Sequence, residues 1–581
     1  MIKKLFRQML ISQILSSMTV SLCMLIDSMM IGRFLRPEAL TAYGLTTPVL
    51  LIFAAIGNMI GAGVQVLCGK ATGRNDFEGA NACFTVSASV CGAVSVAGAV
   101  LCFVFARPVA IMLGAGEDPV VLRLTVDYLR GFIVGAPAFM AAQVMVPYFQ
   151  ITGRRSRLVT AVVCMTVADI LLDILNVTVL PLETLGMGLA SSVSYYVAFA
   201  IGIPCFIGKK ALFRFRAKLL KKKTALRLLR YGVPTVVNQL SLVAFVYLLN
   251  NLLLGVGDTR NGLNAVAAYS VITTIGNICY SFGSGVANVA LTLSSIFYTD
   301  KDRTSLRTLV SAMTYYAAVI DVALIVMILP SAPFLVDTFL DNPGARQMAI
   351  TGLRLFSLSL LPSAINTSFK LYFQGINHSG LTQVLSVLQN FALPALFAVG
   401  LDLALGVNGI WLSFLCGETL TLLVISVIVW IKNGRVSFTP DAYSYLPRDY
   451  GVAQEDLLEL SVNDREGAKS AAERAYAFCL DHGESEELCN DVMTCIREVT
   501  DNILSHGFTK DKKTHSIDVR VVKDGDDTVI RIRDNCFNFD PVRYMRDHKE
   551  RADSGLMRVN SRVKDASYVN SLGLNNLTLT V

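Results

Sequence analysis

Ser17-Met-Thr-Val-Ser-Leu-Cys-Met-Leu-Ile-Asp27-Ser-Met-Met-Ile-Gly-Arg33 is an apolar run with one acid held inside it. A helix needs roughly 20 mainly apolar residues to cross the hydrocarbon core of a bilayer. A carboxylate within such a span is costly, by at least ~2.5–3.5 kcal/mol on insertion scales, and marks a functional candidate. The run follows the basic start Met1-Ile-Lys-Lys-Leu-Phe-Arg7 and has no small-residue cleavage site. Polar Ser, Thr and Gln also interrupt it, so it reads as a retained first membrane helix rather than a cleaved signal.

Comparable runs centre near residues 20, 55, 92, 138, 168 and 197, then near 244, 282, 318, 362, 391 and 420. That predicts twelve spans, with Pro48, Pro137, Pro234 and Pro394 inside them or at their ends. The composition agrees: of 581 residues, 53% are hydrophobic and 16% charged, with a mean hydropathy of +0.53. A single soluble enzyme, a disordered chain, a collagen and a nucleic-acid binder are excluded on those terms. The thirteen cysteines lie mostly in apolar runs, such as Cys23, Cys83, Cys91, Cys102 and Cys164, with no CxxC pair. They read as small buried apolar residues rather than a disulfide framework or a metal site.

Charge divides the chain. Residues 440–581 carry 26 of the 44 acids and 19 of the 51 bases. A basic membrane part is therefore joined to a small acidic soluble part. With an inside N-terminus, the inner loops hold Lys70 and Arg74, Arg154, Arg155 and Arg157, Lys209 through Arg230, and Lys301, Arg303 and Arg307. Outer loops hold scattered bases only, such as Arg33, Arg107 and Arg260. This asymmetry predicts a multi-pass plasma-membrane protein with both termini in the cytoplasm.

The two halves echo each other. Ala39-Leu-Thr-Ala-Tyr43 matches Ala265-Val-Ala-Ala-Tyr269 at an offset of 226, and Gly57 then meets Gly283 and Asn75-Asp76 meets Lys301-Asp302. Phe149-Gln150 before Gly153 matches Phe373-Gln374 before Gly375. A common order at a near-constant offset predicts two six-span repeats in the same orientation, with a site between or within them near the midplane.

Asp169 and Asp173, four residues apart, share one face of the fifth span. With Asp27 they place three carboxylates in one lobe. Loading H+ or Na+ would neutralise such a cluster and let the helices repack. Capping of a helix end is the alternative reading of Asp173, and a structural role that of Asp27 and Asp169. Asp321, Asp402 and Glu418 are weaker candidates: the first two fall towards span ends, and Glu418 has no repeat partner. The repeat position of Asp27 is Leu253, and residues 231–257 contain no acid. The coupling site is therefore expected in the N-terminal lobe. Met29, Met30, Tyr43 and Phe149 are candidates for an apolar substrate cavity, with ordinary packing as the other reading.

Asp27-Ser-Met-Met-Ile-Gly-Arg33, Ala39-Leu-Thr-Ala-Tyr43, Gly69-Lys-Ala-Thr-Gly-Arg-Asn-Asp76, Phe149-Gln-Ile-Thr-Gly153, Asp169-Ile-Leu-Leu-Asp173 and Gly186-Met-Gly-Leu-Ala190 stand in this order. Over residues 1–436 the set resembles the multidrug and toxin extrusion (MATE) family. The resemblance implies two six-helix lobes in a V, residues 1–218 and 219–436. It also implies export of small amphipathic or drug-like molecules by alternating access, driven by inward H+ or Na+ through Asp27, Asp169 and Asp173. The resembling motif more often has Asn where this chain has Asp169.

Residues 437–455 read as a linker and 456–581 as a soluble α+β sandwich. A strand is predicted over 457–462, helices over 464–481 and 484–506, a hairpin from 516–521 and 527–533 through Lys523-Asp-Gly-Asp-Asp527, and a last strand over 576–581. Glu498-Val-Thr-Asp-Asn502, Asp534-Asn-Cys-Phe-Asn-Phe-Asp-Pro541, Ser554-Gly-Leu-Met557 and Tyr568 through Gly573-Leu-Asn-Asn-Leu577 follow in order. They resemble the boxes of the GHKL ATP-binding fold, nearest to anti-sigma-factor serine kinases. That resemblance implies Glu498 as catalytic base, Asn502 as the Mg2+ ligand, Asp534 reading the adenine amino group and Gly555 beside phosphate. Cys536 and Asn538 stand where that family has glycines, and one glycine, Gly555, stands where two are common, which weakens the expectation of ATP turnover more than that of the fold. No Gly-x-x-x-x-Gly-Lys-Ser/Thr loop occurs, so ATP is not expected to power transport. Two other readings remain at this point. One is a membrane sensor whose soluble domain phosphorylates or binds a cytoplasmic protein such as an anti-sigma antagonist. The other is a lipid-precursor flippase.

Overall fold

The computed structural model describes residues 2–581 save 36, 75, 208–212, 256–258, 341–342, 448–449, 454, 509–514, 526 and 548–554. Asn75, Lys209, Asp526 and Ser554, named above, lie outside the described residues.

The apolar runs fold as α1 (Ile2–Phe34), α2 (Pro37–Gly73), α3 (Phe77–Val104), α4 (Pro119–Ile151), α5 (Arg155–Thr178) and α6 (Glu183–Gly202) in the first half. The second half holds α7 (Lys222–Leu254), α8 (Thr259–Thr299), α9 (Arg303–Asp337), α10, α11 (Ser379–Leu405) and α12 (Val407–Asn433). Helix α10 is bent: Pro343–Leu358 continues, after a 45° turn, as Leu360–Gly375. Eleven described helices are each long and apolar enough to cross a membrane, and α10 makes twelve if its two arms are one span. Helix α11 carries a π-turn at Leu388–Ala392 just before Pro394. A proline there has no N–H to give, so one hydrogen bond of the ladder must be re-routed.

Repeat partners do the same work in both halves. The Asp76 carboxylate caps α3 by accepting from the Gly79 N–H at 2.7 Å, and Asp302 caps α9 from the Ser305 N–H at 2.9 Å. Beyond α4 and α10 the chain reverses through a left-handed residue, Gly153 at φ +69° and Asn377 at φ +74°.

Small residues set how closely the helices meet. Gly131 and Gly135 of α4 face Gly188 and Ser192 of α6, and the Ser192 hydroxyl donates to the Gly131 carbonyl at 2.6 Å. A Cβ on Gly131 would stand 2.6 Å from the Leu185 carbonyl oxygen. Lipid tails are as apolar as leucine, so such contacts, more than apolar burial, hold membrane helices together. Gly131→Leu is therefore expected to force the pair apart at a cost of ~1–3 kcal/mol or more. The check is thermal stability in detergent, with Gly92→Leu, where a Cβ meets nothing within 4 Å, as the harmless control.

Helix α1 serves both lobes. Leu5, Phe6, Met9 and Leu10 pack into the C-lobe core with Val289, Leu293 and Phe297, whereas Ile31 belongs to the N-lobe core.

The last part of the chain is a two-layer domain with β1 (Leu457–Val462), α13 (Arg465–Asp481), α14 (Glu486–Asn502), β2 (Ile517–Asp524), β3 (Asp527–Asp534), α15 (Pro541–Asp547), α16 (Gly555–Asn560), β4 (Asp565–Ser571) and β5 (Leu574–Thr580). The sheet order is β1-β2-β3-β5-β4 and every pairing is antiparallel. Ile517, Val519, Val521, Ile530 and Ile532 bury one face against Ala471, Ala475, Val492 and Ile496 of the helices. Two expectations change here. Tyr568 lies in a strand of its own, β4, rather than in a connection, and the second helix ends at Asn502 before a π-turn over Ile503–Gly507. The domain is reached through residues 434–456, where Pro440–Tyr443 forms one short turn of helix and Tyr450 stacks on Tyr298 at 5.1 Å.

Candidate functional site

The structure brings the three N-lobe carboxylates together. Asp27 comes from α1 and Asp169 and Asp173 from α5, and they are 6%, 2% and 1% exposed. The carboxyls of Asp27, Asp169 and Asp173 lie close enough to act on one another, and Asp169 faces Cys23 and Ser194. Ser191 of α6 donates to Asp27 Oδ2 at 3.4 Å. That is thin provision: Oδ1 of Asp27, Oδ1 of Asp169 and both oxygens of Asp173 are buried with no donor. Carboxyls grouped with so few donors need a proton or a cation among them, since acceptors alone have nothing to share. Tyr43, Tyr128 and Tyr195 surround the group, with Tyr43 edge-on to Tyr128 at 5.3 Å. Tyr43 and Phe149 are buried in the packing, and Met29 is turned out at 55% exposure.

The C-lobe holds a polar group that the acid-by-acid reading missed. Lys370 of α10 donates to Asn238 Oδ1 at 2.5 Å and to Gln389 Oε1 at 2.8 Å. Gln389, in the π-turn of α11, donates onward to Glu418 Oε2 at 3.1 Å, and Asn366 donates to the same oxygen at 2.8 Å. An intramembrane lysine beside an intramembrane glutamate was the available signal, because each neutralises the other. Unlike Asp173, neither of whose oxygens has a donor, Glu418 has donors for its carboxylate. Asp321, expected near a span end, sits midway along α9 at 2% exposure, with Oδ2 unpaired.

In the C-terminal domain, Asn502, Asp534 and Gly555 line one cavity of about 510 Å3, together with Tyr568, Asn575 and Tyr544. Phe537, 78% exposed, stands at its rim. Asp534 Oδ1 accepts from the Asn575 amide at 2.8 Å and the Cys536 N–H at 2.9 Å. Burial lifts this carboxyl above its ordinary range, against those two hydrogen bonds. Glu498 lies one turn before Asn502, beneath Gly555 and paired with Arg558 at 3.0 Å. A Cβ at Gly555 would come within 2.2 Å of the Glu498 carboxylate, so a larger residue there would have to turn that side chain aside.

A family model described as MatE matches residues 13–175 and 234–399, more than half of the chain. The multidrug export protein MepA of Staphylococcus aureus (strain MRSA252) is 23% identical over 414 residues, 70% of this chain and 89% of that protein. MepA of Staphylococcus saprophyticus is 22% identical over the same length. Among solved structures, an outward-facing multidrug resistance MATE transporter of the MOP superfamily superposes with a TM-score of 0.67 at 21% identity. A MOP superfamily transporter from Pyrococcus furiosus gives 0.67 at 20% identity, and both cover 73% of this chain and 94% of the other. One matched segment falls in each six-helix half, as the internal repeat requires, and this multi-pass membrane chain belongs to the MatE family.

Proposed function

We propose that the chain is a secondary exporter of small amphipathic or drug-like molecules, driven by inward H+ or Na+ through Asp27, Asp169 and Asp173. The observation that carries the reading is the trio of buried carboxyls, four of whose oxygens lack a donor, while the C-lobe acid Glu418 is satisfied. An unpaired buried carboxylate is strongly disfavoured, so a proton or sodium ion completes the site, and its loss to one side of the membrane would favour a different packing of α1 against α5. The similarity to the multidrug export protein MepA supports the substrate class.

The inner-loop bases support a cytoplasmic position for both termini. The soluble domain is read as a nucleotide-binding regulator. Asn502, Asp534 and Gly555 converging on one cavity support it, with Asn502 as the Mg2+ ligand and Mg2+ otherwise held by phosphate and water. The pairing of Glu498 with Arg558 supports binding rather than kinase turnover.

The test is drug efflux from vesicles with imposed H+ or Na+ gradients, with and without ATP on the domain side. Efflux that follows one gradient and ignores ATP as a power source is expected; efflux indifferent to both gradients would end the antiporter reading.

A further inference from the structure

The sheet of the soluble domain buries one face on its own helices and turns the other to the membrane part. Period-two alternation puts Arg520, Arg531 and Arg533 on that second face. Arg520 stands directly opposite Arg531 across β2 and β3. Three like charges side by side in an acidic domain require a counterpart. They meet it in Asp300 and Asp302, between α8 and α9 of the C-lobe. Arg531 pairs with Asp300, Arg533 reaches Asp300 at 3.2 Å and Asp302 at 3.8 Å, and Arg520 reaches Asp302 at 3.7 Å. The two aspartates are 6% and 7% exposed. Desolvation pushes the Asp300 carboxyl up, and Arg531 and Arg533 pull it back. Removing one side of such a buried pair leaves the other as an uncompensated charge.

A second anchor lies on the other lobe. The β4–β5 turn, Leu572 at φ +59° and Gly573 at φ +75°, reaches the turn between α4 and α5. The Leu572 N–H donates to the Ile151 carbonyl at 2.6 Å, and Arg155 donates to the Leu572 carbonyl at 2.6 Å. Gly153 packs so closely on Gly573 that a Cβ there would lie 2.3 Å from its nitrogen. Between the two anchors, α2 and α8 are closed on each other: Ser295 donates to the Gln65 carbonyl at 2.9 Å, and a Cβ on Gly73 would lie 2.5 Å from the Ile296 oxygen.

We propose that the soluble domain is a latch across the two lobes, holding this face of the exporter shut, and that a purine nucleotide in its cavity loosens the latch. One rigid sheet cannot keep both Asp300 and Gly153 when α2 and α8 part, so opening this face requires one anchor to release. The hairpin that makes the N-lobe anchor also carries Tyr568 and Asn575 of the cavity wall. Asn575, two residues beyond Gly573, holds the hairpin to Asp534 through Oδ1. A nucleobase amino group would compete for that oxygen and leave the Asn575 amide only its bond to the Phe537 carbonyl. This second half rests on the nucleotide reading above. By reciprocity, a ligand that binds the unlatched form better must shift the lobes towards it.

The experiment uses the full chain in lipid nanodiscs, with spin labels at Ser156→Cys in the N-lobe and Gly380→Cys in the C-lobe, and ATP with Mg2+ as the probe. Both label positions are exposed, and a side chain at Gly380 meets nothing within 4 Å. Without nucleotide, Arg531→Glu/Arg533→Glu is expected to lengthen the inter-label distance, and Asp300→Arg added to it to restore the short distance. ATP is expected to lengthen it in the wild type only, and to bind the double variant about tenfold more tightly. An unchanged distance in the double variant overturns the latch. Absence of ATP binding, with the arginine effect intact, overturns the nucleotide reading and leaves the latch standing. ATP that binds without lengthening the distance overturns the coupling between them.

Discussion

Asp27→Asn is expected to reduce gradient-driven efflux about 100-fold, the upper end of ordinary coupling between two sites. Asparagine keeps the shape of the side chain but neither takes up nor releases a proton. Its amide would also donate permanently to Asp173, supplying what the buried oxygens lack and holding α1 to α5 in one packing. The protein should therefore fold and bind substrate while failing to respond to an imposed gradient in vesicles. Glu418→Gln is the informative contrast. It removes the carboxylate that faces Lys370 across Gln389, and leaving a buried charge uncompensated costs ~3–5 kcal/mol. Lower stability with coupling retained is the expected outcome. Coupling lost in Glu418→Gln and kept in Asp27→Asn would move the ion site to the C-lobe.

Asp534→Ala is expected to weaken ATP binding to the full chain by roughly 10- to 150-fold, the worth of a hydrogen bond to a charged acceptor. Calorimetric titration reads it directly. The pH dependence separates this role from a structural one. Burial raises the Asp534 carboxyl, so it takes up its proton at a higher pH than an exposed aspartate. Affinity for ATP should then fall as pH drops through that raised value, and Asp534→Asn should flatten the profile. The sign for folding is opposite. A carboxyl raised in the folded state contributes most below its unfolded value, and the contribution is lost as pH rises through the folded one. Acidification that leaves ATP affinity unchanged would remove Asp534 from base recognition.

The membrane part was legible because a span announces itself by length and composition. Its repeat was legible because residues such as Asp76 and Asp302 cap equivalent helices. The trio of acids was also legible, since few side chains are rarer within a span. What stayed hidden depends on contact between distant elements. Lys370 passed unnoticed because its partners, Asn238 and Gln389, come from α7 and α11, and Glu418 of α12 is reached only through Gln389. Strand β4, Asp565-Ala-Ser-Tyr-Val-Asn-Ser571, lacks the apolar alternation that exposed β2 and β3, and is held by pairing with β5. The arginines of β2 and β3 were visible in the pattern, but nothing local says that their free face meets Asp300.

The segment 434–456 ties the soluble domain to α12. A short tether within one chain keeps a domain at an effective concentration in the millimolar range. Docking that would be negligible between separate molecules then becomes the resting condition, and it can still let go quickly. Every copy of the pump carries its own brake in fixed stoichiometry, so changes in gene dosage leave the balance between pump and brake untouched.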